Sequence, residues 1–459
     1  MKKINRRSFL KVMGAAAGAA ALSACGSASS AASSTAAGSA SSAGSAAQAA
    51  SGSVVWWTWS TEATEAYQQI VALFNQKYPN IKVDLQFISN SDYWTKLPVA
   101  IAGGTGPDIF QMTRPSFELY AASKQAADLT SAVSSSADLT ANLAAMDPKL
   151  VSTYQFNGAQ MAIPYTVETT AIAYNKDLFK AAGLPDPKDN EASWTWDDLR
   201  EMAKKLTVKS ASGETEQYGF LIPADRMLTW EKIWSHGAEM FNDAKDTCQI
   251  ADPSVIEALQ PLVDMYAADG VSPTTDATAT MSADDMFMTG KIAMLAAGIW
   301  KVPTYRGITG FEWDVVELPY DPDTGKRVSS SNVLGFVVNP GSKAMDNAVR
   351  FLEVASSPDA QRILAESGTY IPANINERDP YFETTEASPA NLLAYQRALD
   401  YVHPNTLTQY IPYSQFLEEY TNGLRDAYNG AKTLEQAMKD SQDSINKIMD
   451  DNKKTFGVS

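Results

Sequence analysis

Residues 53–59 read Ser-Val-Val-Trp-Trp-Thr-Trp, a β-branched and aromatic run that predicts a strand. Ser60 and Thr61 can cap the segment that follows, where Ala63, Tyr67, Ile70, Val71 and Phe74 recur at helical spacing until Pro79-Asn80 stops them. Apolar and polar positions alternate over 81–87, a second strand. Residues 93–102 are helical, with a kink expected at Pro98, and 108–112 form a third short strand. Strand, helix, strand, helix, strand with helix-length connections predicts a parallel sheet in an α/β protein. Ligands of such sheets sit beyond the carboxyl ends of the strands, here at Trp59, Ser60 and Thr61 and at Met112, Thr113 and Arg114.

The stretch 163–179, Ile-Pro-Tyr-Thr-Val-Glu-Thr-Thr-Ala-Ile-Ala-Tyr-Asn-Lys-Asp-Leu-Phe, has strand character from Thr166 to Tyr174 and a turn signal at Asn175 and Asp177. Glu168 stands in its middle. A carboxylate inside an apolar strand needs a partner or a water-filled cleft, since burying it alone is costly. Taken by itself, Glu168 reads more simply as an outward-facing acid.

Further on, Thr195-Trp196-Asp197-Asp198 offers a capping box ahead of Leu199, Met202, Ala203 and Leu206. The segment 224–237 carries Asp225, Arg226, Trp230, Trp234 and His236. Helices are predicted over 253–268, around 281–288, over 344–356 and over 360–366. Strands are predicted at 290–295, 313–318 and 328–338, the last two flanking a hairpin turn at 321–325. The tail is helical, with Leu434, Met438, Ser441, Ile445 and Ile448 on one face.

With 459 residues, two or more domains are expected. Residues 1–24 hold five basic and no acidic side chains; from Cys25 onward 32 basic and 53 acidic side chains leave a charge of −21. Such a surface repels phosphate backbones and anionic lipid, which argues against nucleic-acid binding. The block Asn5-Arg6-Arg7-Ser8-Phe9-Leu10-Lys11 resembles the twin-arginine export signal. The apolar run behind it falls short of the ~20 residues a membrane span needs. Leu22-Ser23-Ala24-Cys25 resembles a lipobox, which implies a signal peptide of 1–24, cleavage before Cys25 and lipidation of its thiol. Residues 25–53, nearly all Ser, Ala and Gly beyond the cysteine, cannot bury enough apolar surface to order themselves and read as a tether of about 30 Å. Cys248 then has no cysteine partner and reads as a small buried hydrophobe.

Catalytic and cofactor signatures are missing. There is no phosphate loop, no Gly-x-Ser-x-Gly elbow in the folded body and no His-Glu-x-x-His. His236 and His403 are the only histidines. Asp321-Pro-Asp323-Thr-Gly325 begins like a calcium loop but has Lys326 where the glycine belongs, so a plain turn is expected, with no metal and no cofactor. Aromatic rings are plentiful instead, ten Trp and nineteen Tyr, and Trp57, Trp59, Tyr165, Trp300 and Tyr370 fall at predicted strand ends beside Gly, Ser or Thr. Neutral sugars offer C–H faces that stack on rings and hydroxyls that need fixed donors and acceptors.

Five segments in order resemble the family 1 extracellular solute-binding proteins of ABC importers, the maltose-binding-protein type. They are Gly106-Pro107-Asp108-Ile109, Ile163-Pro164 through Phe179, Thr195 to Leu199, Gly290-Lys291-Ile292-Ala293-Met294 with Gly298-Ile299-Trp300, and Gly368 with Ile371-Pro372-Ala373. The resemblance implies a two-lobed fold with three crossings, near 167–170, 333–335 and 387–393. Lobe 1 would comprise 54–167 with 336–388, and lobe 2 168–335 with 389–459. It implies no enzyme but a monomeric lipid-anchored receptor on the outer face of the cell membrane, handing a carbohydrate to permease subunits. Glu168 matches the acid that accepts from sugar hydroxyls, and Trp300 the tryptophan that stacks on a sugar ring. Asp225, ahead of Trp230, sits where another acidic contact is often found. Met112 replaces an aromatic of some members, and Arg114 and Tyr413 are weaker matches. Two rivals stay open: a secreted glycan hydrolase or lyase, and the same fold binding a non-sugar ligand such as a polyamine.

Overall fold

The computed structural model describes residues 50–383, 389–405 and 407–456. The expected signal peptide, Cys25, nearly all of the tether, and residues 384–388 at the expected third crossing lie outside them.

Gly52–Thr58 pairs in parallel with Ile81–Phe87 on one side and Ile109–Thr113 on the other, as the strand–helix alternation predicts. The connecting helices are Thr64–Lys77 and Asn90–Gly103, the second carrying Pro98 inside it. Neither Ser60 nor Thr61 caps the first: Ser60 makes no capping bond, and Ala63 is the N-cap. The Ser60 hydroxyl faces Gln111 and Tyr370 instead. The sheet is mixed rather than parallel, because the long strand Ser329–Val338 runs antiparallel to both Ile109–Thr113 and Ile163–Glu168. Ile371–Pro372 closes the far edge, and Val402–Pro404 pairs with the start of the long strand.

The run 166–174 is two strands, not one. Ile163–Glu168 belongs to the large sheet, while Thr170–Asn175 is the centre of a three-stranded antiparallel sheet between Met294–Gly298 and Trp313–Val316. All twelve residues of the two strands are buried, and sheets covered on both faces give continuous apolar runs of this kind. The strands at 313–316 and 329–338 form no hairpin with each other, since each finds a partner elsewhere. The expected capping box at Thr195 and Asp198 is present.

Thr169 is the joint between the sheets. Its hydroxyl donates to the carbonyl of Tyr395 (2.8 Å), its carbonyl accepts from Ile299 N–H (3.1 Å), and the next N–H, of Thr170, donates to Ser329 Oγ (3.0 Å). Backbone that leaves a sheet in a buried place must find other partners. Here two distant segments supply them, and the Thr169 side chain ties in a third.

Trp56, Tyr67, Phe110, Tyr165, Phe336 and Phe351 centre the core of the large sheet. A second core gathers Trp194, Trp196, Trp230, Phe241, Phe416 and Tyr420, covered by the terminal helices Tyr413–Tyr428 and Leu434–Phe456. Leu434, Met438 and Ile445 are buried there as their spacing predicts, and so is Cys248, whose thiol is pushed up to about 12 by burial. Among the described residues no helix is long and apolar enough to cross a membrane.

Candidate functional site

A cavity of about 550 Å³ opens where the two sheets meet. Its walls come from both sides of the Thr169 joint. Trp59, at the end of the first strand, packs edge-on to Tyr93 (4.8 Å between ring centres) and against Trp94 (5.2 Å), and both tryptophans line the cavity with Glu62 and Thr113. From the other side come Arg226, Trp300, Lys301, Thr304, Tyr413 and Ser414. Glu168 and Asn332 lie between.

Those two face each other in register across the antiparallel pair, and Asn332 Nδ2 donates to Glu168 Oε2 at 2.6 Å. Burial pushes the Glu168 carboxyl up to about 8. The bond from Asn332 and the charge of Arg226 pull it down, and Glu62 pushes it further up. Asn332 Oδ1 is buried without a protein partner. A buried acceptor left open on a cavity wall is a place for a ligand donor.

Arg226 is held in a tight turn. Met227 N–H donates to Asp225 Oδ1 (2.9 Å), Thr229 Oγ1 donates to the Asp225 carbonyl (2.5 Å), and buried Leu228 has φ = +73°. With ψ = −43° this is a sparsely populated conformation that costs a leucine about 1–3 kcal/mol. Burial disfavours the Arg226 charge, but Tyr413, Asp225, Glu231 and Glu168 outweigh it and raise its pKa. Water reaches Asp225, yet surrounding protein crowds out bulk solvent and raises its carboxyl against the pull of Arg226. The ammonium of Lys301 is held by Asp284, which also accepts from Tyr305 Oη (2.6 Å).

Of the residues singled out from sequence, Trp59, Thr113, Glu168, Trp300 and Tyr413 stand together on the cavity wall. The others do not line it. Ser60 and Tyr370 are buried behind it: Tyr370 Oη bonds Ser60 Oγ at 2.9 Å and donates to Glu62, so the pair supports the wall. Met112 and Trp230 are wholly buried core side chains. Tyr165 stacks on Phe336 (4.2 Å) and bonds Tyr67 through its hydroxyl (3.0 Å). Arg114 pairs with Glu118 at 2.6 Å over the Phe117 ring. Thr61 and Asp225 are exposed outside the lining, and the Asp225 charge acts on Arg226. Strand alternation explains Met112: it points into the sheet's core, and Thr113 after it points out.

Sequence reasoning missed Glu62, Trp94, Arg226 and Asn332. Asn332 ends the polar run Ser329-Ser330-Ser331, so unlike Glu168 it does not stand out in the sequence. For Trp94 and Glu62 no local signal separates ring or acid on the cavity from ring or acid on the surface.

The Asp321 turn is closed from within, since Asp323 N–H and Thr324 N–H both donate to Asp321 Oδ1 (3.1 Å). Among the described residues His236, Asp321 and Asp323 bring three potential metal-ligating atoms together, but Lys232 Nζ already holds Asp321 at 2.6 Å.

This geometry, two α/β bodies with a cavity at their joint, is that of the two-lobed substrate-binding proteins. A substrate-binding protein of Listeria monocytogenes, solved with cycloalternan, superposes with a TM-score of 0.79 at 27% identity, covering 87% of this chain and 99% of that one. The maltose-bound MalE3 of Thermotoga maritima gives 0.70 at 20% identity over 86% of this chain and 99% of that one, a likeness of fold. In sequence the maltotriose-binding protein of Pyrococcus abyssi is 23% identical over 323 residues, 70% of this chain and 66% of that protein. The chain belongs to the family of bacterial extracellular solute-binding proteins, whose pattern matches residues 57–362. The twin-arginine translocation signal matches residues 3–23, in accord with a location outside the cytoplasm.

Proposed function

We propose that this protein captures a carbohydrate, an oligosaccharide, in the cavity between its lobes and delivers it to the permease of an ABC importer. One observation carries the reading: aromatic side chains, Trp59, Trp94, Trp300 and Tyr413 among them, line a single cavity whose lining also holds the hydrogen-bonding groups Glu168, Asn332 and Arg226. Rings that stack on C–H faces, with a few fixed polar groups, are what a sugar requires. We take the lobes as 54–167 with 336–388 and 168–335 with 389–459, a reading that the change of sheet at Thr169 supports at its first boundary alone. The similar proteins of known ligand, the cycloalternan complex and the maltotriose-binding protein, support the same class of ligand.

A titration of tryptophan fluorescence with mono- and oligosaccharides tests this. A saturable response is expected, weakened about tenfold or more in Trp300→Ala; a mutant that binds like the parent would place the site elsewhere. The function is capture without covalent change. Glu62 and Glu168 nevertheless share the cavity as a carboxylate pair, the one feature that favours a glycan-cleaving enzyme. New reducing ends after incubation with oligosaccharides would overturn the receptor reading in favour of that one. A polyamine binding in place of every sugar would overturn the ligand class alone.

The lipid anchor at Cys25 is part of the proposal, as are the monomeric state and attachment to the outer face of the membrane. Cells fed a clickable fatty acid should label the parent, while Cys25→Ala should lose the label and appear in the soluble fraction. A labelled Cys25→Ala protein would rule that anchor out.

A further inference from the structure

Trp300 follows the strand Met294–Gly298, which pairs with Thr170–Asn175 so that Gly298 lies opposite Thr170. The Ile299 N–H donates to Thr169 O at 3.1 Å, so this segment is pinned to the joint one residue from Glu168. Backbone anchoring fixes where Trp300 begins. It does not fix the plane of its ring.

Gly298 does that. A Cβ built on Gly298 would fall against Cη2, Cζ3 and Cε3 of the Trp300 indole, all well inside the 3.0 Å below which Cβ contacts are not found. Three adjacent ring atoms at nearly equal distance place that Cβ over the face of the six-membered ring, not beside its edge. One face of the indole therefore lies flat on bare glycine backbone, and a ligand in the cavity has the other face. Gly298 itself has φ = −73° and ψ = 154°, an extended conformation open to any residue. Its lack of a side chain is not needed for its own backbone. It is needed for the tryptophan.

We propose that Gly298 is a positioning residue: by having no Cβ it seats Trp300 against the strand end and presents one face of the indole to the ligand. The inference rests on the cavity being a sugar site only for its effect on binding; the seating of the ring stands apart from it.

The test has two arms. In the full-length protein the indole N–H resonance of Trp300 is identified by its loss in Trp300→Ala, out of ten tryptophans in the chain. Gly298→Ala should move that resonance while leaving the melting temperature near the parent's; an unmoved resonance would overturn the proposal. In the second arm maltotriose is titrated into the parent, Gly298→Ala, Trp300→Ala and the double variant. Gly298→Ala should bind about tenfold more weakly. Added to Trp300→Ala it should change nothing further, because the methyl then has no ring to displace. Equal binding by Gly298→Ala and the parent, or additive losses in the double variant, would also overturn it. If the parent itself binds no maltotriose, that ligand is wrong for the cavity and the resonance arm alone decides the role of Gly298.

Discussion

At the scale of single residues, Glu168 carries the sharpest physical consequence. It is buried, its carboxyl is pushed up to about 8, and among the described residues it accepts a hydrogen bond from Asn332. In the unfolded chain the same group titrates near 4.5. A folded pKa above the unfolded one means that the folded protein binds the proton more tightly. The contribution to stability is thus fully present below about 4.5 and lost as pH rises through about 8. Glu168→Gln cannot titrate. The melting temperature of the parent minus that of Glu168→Gln should therefore fall between pH 4.5 and 8 and level off above it. A difference that stays constant across this range would contradict the burial of the carboxyl. The same substitution keeps an acceptor for a sugar hydroxyl, so ligand binding should weaken less than in Glu168→Ala.

At the scale of elements, close packing is most severe where the helix Trp196–Leu206 meets Gly219. A Cβ there would meet the backbone of Ala203, 2.5 Å from its carbonyl carbon and 2.7 Å from its Cα. Helix backbone cannot swing away as a side chain can. The residues on either side are held, since Tyr218 N–H donates to Lys291 O and Leu221 N–H to Met294 O, beside the strand that leads to Trp300. Gly219→Ala should lower the urea unfolding free energy by about 3 kcal/mol; an unchanged midpoint would show that the helix has room to shift. Local pattern made this helix legible from its capping box and apolar spacing, and the three parallel strands from their alternation. It could not reveal that the run around Glu168 breaks at Thr169, because both halves are equally apolar and the break is set by distant partners, Ser329 159 residues away and Tyr395 226 residues away among them. The site divides the same way. Trp300 and Glu168 were legible from motif order and from an acid out of place, whereas Met112 and Trp230 were aromatic or strand-end residues whose facing only tertiary packing decides.

At the scale of the whole molecule, the cavity draws its walls from two bodies that meet at one joint. A ligand that stacks on Trp59 or Trp94 on one side and on Trp300 on the other is in contact with both. Its binding energy then differs between open and closed arrangements, and only such a difference can shift an equilibrium between them. Ligand should thus bring the lobes together, and the radius of gyration measured by small-angle X-ray scattering should fall with a saturable dependence on the sugar that gives the fluorescence response. Trp300→Ala removes one contact and not the hinge. It should therefore need more sugar to reach the same compact end point. A parent protein that binds sugar without any change in radius would mean that the lobes are already fixed. Recognition by a permease would then have to read the ligand itself rather than the closure of its receptor.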